Sequence, residues 1–174
     1  MATGKLTKTL IDFALKTKYT DIPPEVIAVQ KRSLLDSIGV MAAASTLEAA
    51  CRPFMDYAEE QSGAKDCTII GTGRKASPTM AAMANGALIH AMDYEDGHDE
   101  AKAHPNTAGI PACFALGESF MKSGAEVLAA MVISSEITCR LKMSLNVSDL
   151  EHGWYSPPMF SAYGAVLGAS RLLG

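Results

Sequence analysis

The sequence predicts an all-α domain of roughly seven or eight helices with at most one short strand. Apolar side chains recur at helical spacing through most of the 174 residues. Proline, serine and glutamate stand where helices would begin, and several helical patterns end at glycine or a polar pair. Only residues 67–70 have the β-branched composition of a strand. These observations exclude a large sheet.

The first three predicted helices are separated by clear breaks. The first covers residues 6–18, where leucine, phenylalanine and alanine recur at helical spacing. The second follows a proline-containing break at residues 21–25, and its apolar stripe extends to Met41. Gly39 lies on that helix, where a small residue predicts close packing of another helix. A shorter third helix covers residues 48–61 and ends at a serine–glycine pair.

The middle of the chain is predicted to run from the short strand through a turn at residues 71–75 into a fourth helix. Ser77 is a suitable N-cap and Pro78 a suitable first residue, and the helix extends to about Met92. The pattern Gly-x-Gly-x-x-Ala over residues 71–76 superficially matches a dinucleotide-binding fingerprint. The βαβ unit that such a site needs is missing, so we interpret the pattern as a glycine turn.

Three further helices are predicted beyond a polar loop. Ser123 and Glu126 form a capping-box pattern at the start of the second of them. Gly164 and Gly168 lie one turn apart on the last one, after a second polar loop at residues 147–158. These helices cover residues 107–121, 126–141 and 158–173.

The composition excludes several classes of protein. The chain is 48% hydrophobic and 20% charged, as in ordinary globular domains, and its length favours one domain or part of a larger one. A net charge of −4 argues against a nucleic-acid partner. We find no signal peptide, polybasic patch or membrane-spanning stretch. The four cysteines are widely separated and are expected to be reduced, buried thiols, which fits a cytoplasmic protein or one of an organelle matrix.

Groups that exchange protons are concentrated between His90 and Pro105. This segment holds three of the four histidines and five of the nineteen carboxylates. A histidine beside a carboxylate can be held in one tautomer and used for acid–base chemistry. The residue types fit equally well a loop whose polar side chains are simply solvated, so both interpretations stay open here.

A metal site is a weaker alternative for the same segment. The dipeptide His98–Asp99 is typical of all-α metal-dependent phosphohydrolases, and His90, Asp93 and His104 could supply further ligands. Those proteins also need an earlier histidine, and none precedes His90. We therefore expect no metal in this segment.

The second polar loop contains the fourth histidine, His152, and the only tryptophan, Trp154. An aromatic pair beside a histidine and a proline-fixed turn could form one wall of a pocket. Trp154 could equally fill part of the core.

The chain resembles the MmgE/PrpD family, the 2-methylcitrate dehydratase group that includes cis-aconitate decarboxylase and iminodisuccinate epimerase. The most specific block reads Asn-Gly-Ala-Leu-Ile-His-Ala-Met-Asp over residues 85–93. The other matching segments follow in the family's order and span nearly the whole chain. They are residues 31–40, 70–78, 94–98, 104–105, 136–141, 152–154, 160–164 and 171–174.

The resemblance implies a large helical domain, a homodimer and a smaller α+β lid domain later in the sequence. Residues 1–174 would be part of the helical domain, without the lid and the remaining helical segment. Family members eliminate water or carbon dioxide from small polycarboxylates, or epimerise them, by moving a proton next to a carboxylate. Their best-known reactions need no metal or organic cofactor.

The resemblance also assigns candidate site residues. Asp93 and His104 match family active-site positions and are the expected catalytic groups. Tyr155 follows Trp154 where the family usually has a catalytic histidine, and tyrosine is the poorer base near neutral pH. The family's catalytic lysine, with a later histidine and tyrosine, falls beyond Gly174. The residues expected to contact the substrate are Asn85, His90, His98 and His152.

The leading hypothesis is therefore the N-terminal part or subunit of a cofactor-independent lyase or isomerase, a dehydratase, decarboxylase or epimerase acting on a small di- or tricarboxylate. It would be active only with the missing segment, and the isolated chain is expected to be inactive. The first alternative is a non-catalytic helical scaffold or inactive relative, and the second is the metal-dependent phosphohydrolase.

Overall fold

A computed structural model, which describes residues 3–64, 66–145, 153 and 155–174, confirms the all-α prediction. Seven α-helices and two short strands occur within those residues. Two single 3-10 turns, Tyr19–Asp21 and Ala49–Cys51, precede the second and third helices. The helices are α1 (Thr3–Lys16), α2 (Pro24–Leu47), α3 (Arg52–Glu60), α4 (Pro78–His90), α5 (Gly109–Ser119), α6 (Gly124–Met143) and α7 (Ser156–Leu173).

Side-chain caps mark the starts of α6 and of the turn before α3, whereas Ser77, the predicted N-cap of α4, makes no side-chain cap hydrogen bond. The predicted capping box opens α6, where the Ser123 N–H donates to Glu126 Oε2 over 2.9 Å and the Ser123 hydroxyl accepts the Glu126 N–H. The predicted third helix is divided, because Glu48 Oε1 accepts the Ala50 N–H and stabilises a 3-10 turn before α3.

The break between α2 and α3 also bears on membrane insertion. Among the described residues, no single helix is long and apolar enough to cross a bilayer. Within the described ranges, one pair of helical segments, Pro24–Leu47 with Ala49–Glu60, meets the length and composition requirement together, and it is bent by 92°.

The expectation of at most one strand was wrong. Strand β1 (Cys67–Ile69) pairs antiparallel with β2 (Arg74–Ala76). The second strand therefore begins within residues 71–75, where the sequence predicts only a turn. A lone strand would leave its backbone N–H and C=O groups without partners, so the chain reverses and pairs with itself. Gly71 and Gly73 allow this reversal, with φ values of 75° and 71°. The glycine pattern is therefore a hairpin turn, and the hairpin packs on α4 and α5.

The core lies among α2, α4, α5 and α6, and α7 packs along α6. Glycines on α7 allow this close approach: a Cβ at Gly164 would lie 2.3 Å from the Ser134 carbonyl oxygen, and one at Gly168 would lie 2.7 Å from the Ala130 carbonyl oxygen. The close packing predicted at Gly39 was wrong for that residue, because a Cβ there would meet nothing within 4 Å; Ala44, in the alanine run that carries the same prediction, is fully buried.

The cysteines are free and buried, as predicted. Burial raises the pKa of the Cys113 thiol to about 12. Burial, assisted by nearby carboxylates, raises the pKa of Cys67 and of Cys139 to about 11. Because the thiolate is the reactive form, we expect the native protein at pH 8 to react with an aromatic disulfide reagent far more slowly than the same protein in denaturant. Rapid native reaction of several thiols, measured as released chromophore, would contradict this burial.

Candidate active site

Helix α4, the loop that follows it and the starts of α5 and α7 line a cavity of about 350 Å³. Its polar lining includes His90, His104, Thr107, Tyr155 and Ser161. Alanines of α4 and α5 and the prolines of α7 supply much of its apolar lining. A volume of this size falls within the range of small-ligand pockets, about 300–1,000 Å³.

The loop after α4 turns back because of Asp93. Asp93 has φ 53°, and its N–H donates to the His90 carbonyl over 3.1 Å. Aspartate adopts this left-handed conformation more readily than most residues, which suits it to a helix end. The reversal brings Glu95 to the His90 ring at the end of α4.

Glu95 is the buried carboxylate of the site. Its side chain has no exposed surface, and its Oε1 is bonded to His90 Nδ1. The same oxygen lies 3.9 Å from His104 Nδ1. The other oxygen, Oε2, is buried and has no hydrogen-bond partner among the described residues. One carboxylate thus lies next to both cavity imidazoles, whose ring centroids are 6.0 Å apart.

Glu95 is not among the site residues predicted from the sequence, where it is only one of five acids in the segment. The nearest sequence signal is its position two residues after Asp93, just beyond the end of α4, but the pattern did not show that the chain reverses there.

His104 is held by a different acceptor. Its Nδ1 lies 3.2 Å from the Asp96 carbonyl oxygen. The Asp96 carboxylate accepts a hydrogen bond of 2.6 Å from the Asn106 amide, and the Asn106 carbonyl oxygen accepts one of 3.0 Å from Gln30 on α2. This buried chain of hydrogen bonds fixes the loop, and with it His104, against α2.

The acceptors determine the tautomers of both neutral imidazoles. A carbonyl or carboxylate oxygen can only accept, so the nitrogen bonded to it must carry the proton. In His90 and His104 that nitrogen is Nδ1, which leaves Nε2 with a lone pair in each neutral ring. Two imidazoles that carry no proton on Nε2 when neutral therefore line the same cavity.

The remaining predicted residues lie in varied places. A carboxylate oxygen of Asp93, which is exposed, lies within 4.8 Å of a His90 ring nitrogen and a Glu95 oxygen. Tyr155 lines the cavity and is 61% exposed. His98 does not belong to the cavity lining, and its Nδ1 accepts the Ala101 N–H over 3.0 Å. His152 and Trp154 lie outside the described residues.

Asn85 is buried away from the cavity. Its carbonyl oxygen accepts the Ile70 N–H and its amide donates to the Thr68 carbonyl, both over 2.9 Å. These bonds attach α4 to the hairpin, and the predicted substrate contact of Asn85 stays a prediction.

An Asn85→Ala variant is expected to lose about 2–4 kcal/mol of unfolding free energy, because it leaves two buried backbone groups without partners. Denaturant unfolding of this variant and of Thr79→Ala, an exposed change on the same helix, measures the difference. Unchanged stability with weakened substrate binding would instead favour the predicted contact.

The same cluster could hold a cation by distance alone. His90, Asp93 and Glu95 offer atoms within 4.8 Å of one another, whereas His98 and Asp99 do not belong to this group. Because His90 Nδ1 is already bonded to Glu95, we describe a hydrogen-bonded histidine–carboxylate pair flanked by Asp93 rather than a metal centre.

Comparison with known proteins gives a consistent result. The family model described as the MmgE/PrpD N-terminal domain matches residues 8–174. A cis-aconitate decarboxylase-like protein, oryM, of Aspergillus oryzae is 32% identical over 98% of this chain and 37% of its own length. A cis-aconitate decarboxylase of Aspergillus terreus is 31% identical over 99% and 36%, and that of Mus musculus is 29% identical over 90% and 33%. The chain thus spans about a third of the length of these relatives.

Proposed function

This chain belongs to the MmgE/PrpD family, and from that membership we propose that it supplies the proton-transferring residues on one side of the active site of a lyase or isomerase. The substrate would be a small di- or tricarboxylate, handled as in 2-methylcitrate dehydratase or cis-aconitate decarboxylase. The observation that carries this proposal is the pair of cavity imidazoles, each with Nδ1 on a protein acceptor and with no partner for Nε2 among the described residues.

The proposed chemistry needs only such groups. A neutral imidazole takes a proton from the carbon next to a carboxylate, and the electron pair of the broken C–H bond passes into the conjugated carboxylate. In a decarboxylation the C–C bond breaks instead, carbon dioxide leaves, and an imidazolium protonates the carbon that retains the electron pair. His104 is the proposed general acid–base group. Asp93, which lies next to His90 and Glu95, is proposed to orient or exchange a proton.

Tyr155 is the proposed third group. Its phenol can donate a proton or a hydrogen bond at the cavity wall, but tyrosine is a poorer base than histidine near neutral pH. We therefore assign it donation to a substrate oxygen rather than proton abstraction from carbon.

Charge in the cavity bears on what the complete enzyme must contain. Neither lysine nor arginine occurs among the described residues of its lining, so the cavity has cationic charge there only when a histidine is protonated. Binding two or three carboxylates in a desolvated site calls for further cationic donors. We propose that another segment or a complementing chain provides them, and we expect the isolated 174-residue chain to be inactive.

The experiment is turnover by the complete assembly, meaning this chain with every further segment or subunit of the native enzyme. Carbon dioxide release from cis-aconitate, water elimination from 2-methylcitrate and epimerisation of a dicarboxylate are followed separately. Turnover of one of these by the assembly, and none by the isolated chain, is the expected result. Inactivity of the assembly towards all three classes would contradict the proposal.

A specific observation favours a non-catalytic scaffold as second candidate. Tyr155 stands where the family usually has a histidine, and it is largely exposed. A neighbouring reading frame that encodes the family's catalytic lysine and lid domain would favour a split enzyme over this scaffold. Elemental analysis of the purified protein tests the alternative of a metal-dependent phosphohydrolase. A stoichiometric divalent metal would support that alternative.

A further inference from the structure

We propose that Glu95 is a positioning residue that holds His90 in its Nδ1-protonated tautomer, so that His90 transfers protons alongside His104 instead of only contacting substrate. The catalytic part of this inference rests on the proposed function. The tautomer itself follows from the geometry and can be tested without any turnover.

The contact between Glu95 and His90 selects the tautomer of the ring. Glu95 Oε1 is bonded to His90 Nδ1, and a carboxylate that points one oxygen at an imidazole nitrogen selects the tautomer with the proton on that nitrogen. His90 lies at the end of α4 and lines the cavity, and among the described residues its Nε2 has no hydrogen-bond partner.

Burial of the Glu95 carboxylate is unfavourable for folding. Its side chain has no exposed surface, and Oε2 has no hydrogen-bond partner among the described residues. Removing a carboxylate from water is unfavourable unless all its lone pairs are satisfied, so folding alone gives no reason for an acid here. Such buried, incompletely satisfied polar groups are typical of functional sites.

Glu95 also balances the charge that forms on His90 during proton transfer. When Nε2 of His90 takes a proton from the substrate carbon, the C–H electron pair passes into the substrate and the ring becomes an imidazolium. The Nδ1 proton stays on the ring, and Glu95 stays a carboxylate that stabilises the new positive charge. Returning the proton from Nε2 restores the neutral ring, so no further reactant is needed.

The surroundings bear on both imidazoles. Asp93 flanks the pair within 4.8 Å, and His104 Nδ1 lies 3.9 Å from the Glu95 oxygen that binds His90. His104 already has the Asp96 carbonyl as its own acceptor, at 3.2 Å. Loss of Glu95 should therefore change His90 more than His104, which gives the experiment an internal comparison.

The test is ¹⁵N NMR of the histidine side chains in the complete assembly, at a pH where His90 is neutral, together with kcat and KM. Glu95→Leu removes the acceptor, and Glu100→Leu makes the same change at an exposed acid of the same loop. We expect wild type and Glu100→Leu to show His90 protonated at Nδ1, with Nε2 bare. In Glu95→Leu this tautomer should lose population while that of His104 persists. The kcat of Glu95→Leu should fall about 10–100-fold, with KM within about threefold of wild type.

The outcomes separate the two proposals. A wild-type assembly without turnover defeats the proposed function and the catalytic role of His90 with it, while the wild-type tautomer still decides whether Glu95 positions the ring. A neutral His90 protonated at Nε2 in wild type overturns the inference, even if Glu95→Leu does not fold. So does a folded Glu95→Leu variant with unchanged tautomer and unchanged kcat.

Discussion

Replacement of His104 with alanine is expected to lower kcat of the complete assembly by about 10²–10⁴-fold, the usual contribution of a general acid–base group. The ring lines the cavity, and its Nδ1 is bonded to the Asp96 carbonyl, which leaves Nε2 for the substrate. Steady-state rates at saturating substrate measure the effect. KM should change less than kcat, because the transferred proton matters most in the transition state.

His98→Ala is the matched control for this prediction. It removes the same side chain from the same loop, but His98 does not belong to the cavity lining. Its kcat should stay near that of wild type, and a rise in KM would support the substrate contact predicted for it. Equal rates for wild type and His104→Ala would remove His104 from the mechanism.

Gly164→Ala is expected to cost the protein about 3 kcal/mol of unfolding free energy, the upper part of the range for overpacking. The new Cβ would lie 2.1 Å from Thr138 Oγ1 and 2.3 Å from the Ser134 carbonyl oxygen. The Thr138 hydroxyl is itself bonded to that carbonyl over 2.9 Å, so neither atom can simply move aside. Helix α7 must therefore shift away from α6, and α7 carries the proline-rich side of the cavity. Thermal unfolding should show Tm lower by roughly 6–12 °C.

Gly39→Ala is the matched control, because it makes the same change inside another helix. A Cβ at Gly39 meets nothing within 4 Å, so alanine should stabilise α2 by about 0.5–1 kcal/mol. The two variants are thus expected to shift Tm in opposite directions. A Gly164→Ala protein with a Tm at or above that of wild type would show that the α6–α7 contact is looser than described.

Local patterns predicted most of the helices and some of their first-turn residues, although the predicted N-cap Ser77 makes no side-chain cap hydrogen bond. The Ser123–Glu126 capping box and the proline at the start of α2 are properties of a few neighbouring residues, and the structure has both. Strand β2 was missed because three residues following a glycine turn carry little signal of their own. They become a strand only through pairing with β1, which no local pattern specifies.

The candidate site was predicted in outline only. The concentration of histidines and acids indicated the segment, and His90 and His104 do meet at one cavity. The role of Glu95 depends on the left-handed turn at Asp93, and the anchoring of the loop depends on Gln30, which is 76 residues from its partner Asn106. Contacts of that kind are set by packing, so the sequence did not reveal which acid would be buried beside the imidazoles.

The most direct measurement is exchange of substrate hydrogen for deuterium in D₂O, followed by proton NMR with the complete assembly. The wild type should exchange the hydrogen next to a substrate carboxylate well above the uncatalysed rate. The double variant His90→Ala/His104→Ala should fall to that uncatalysed rate, because both imidazoles with a free Nε2 are then gone. Exchange by the double variant at the wild-type rate would contradict the account, since proton transfer would then depend on neither ring.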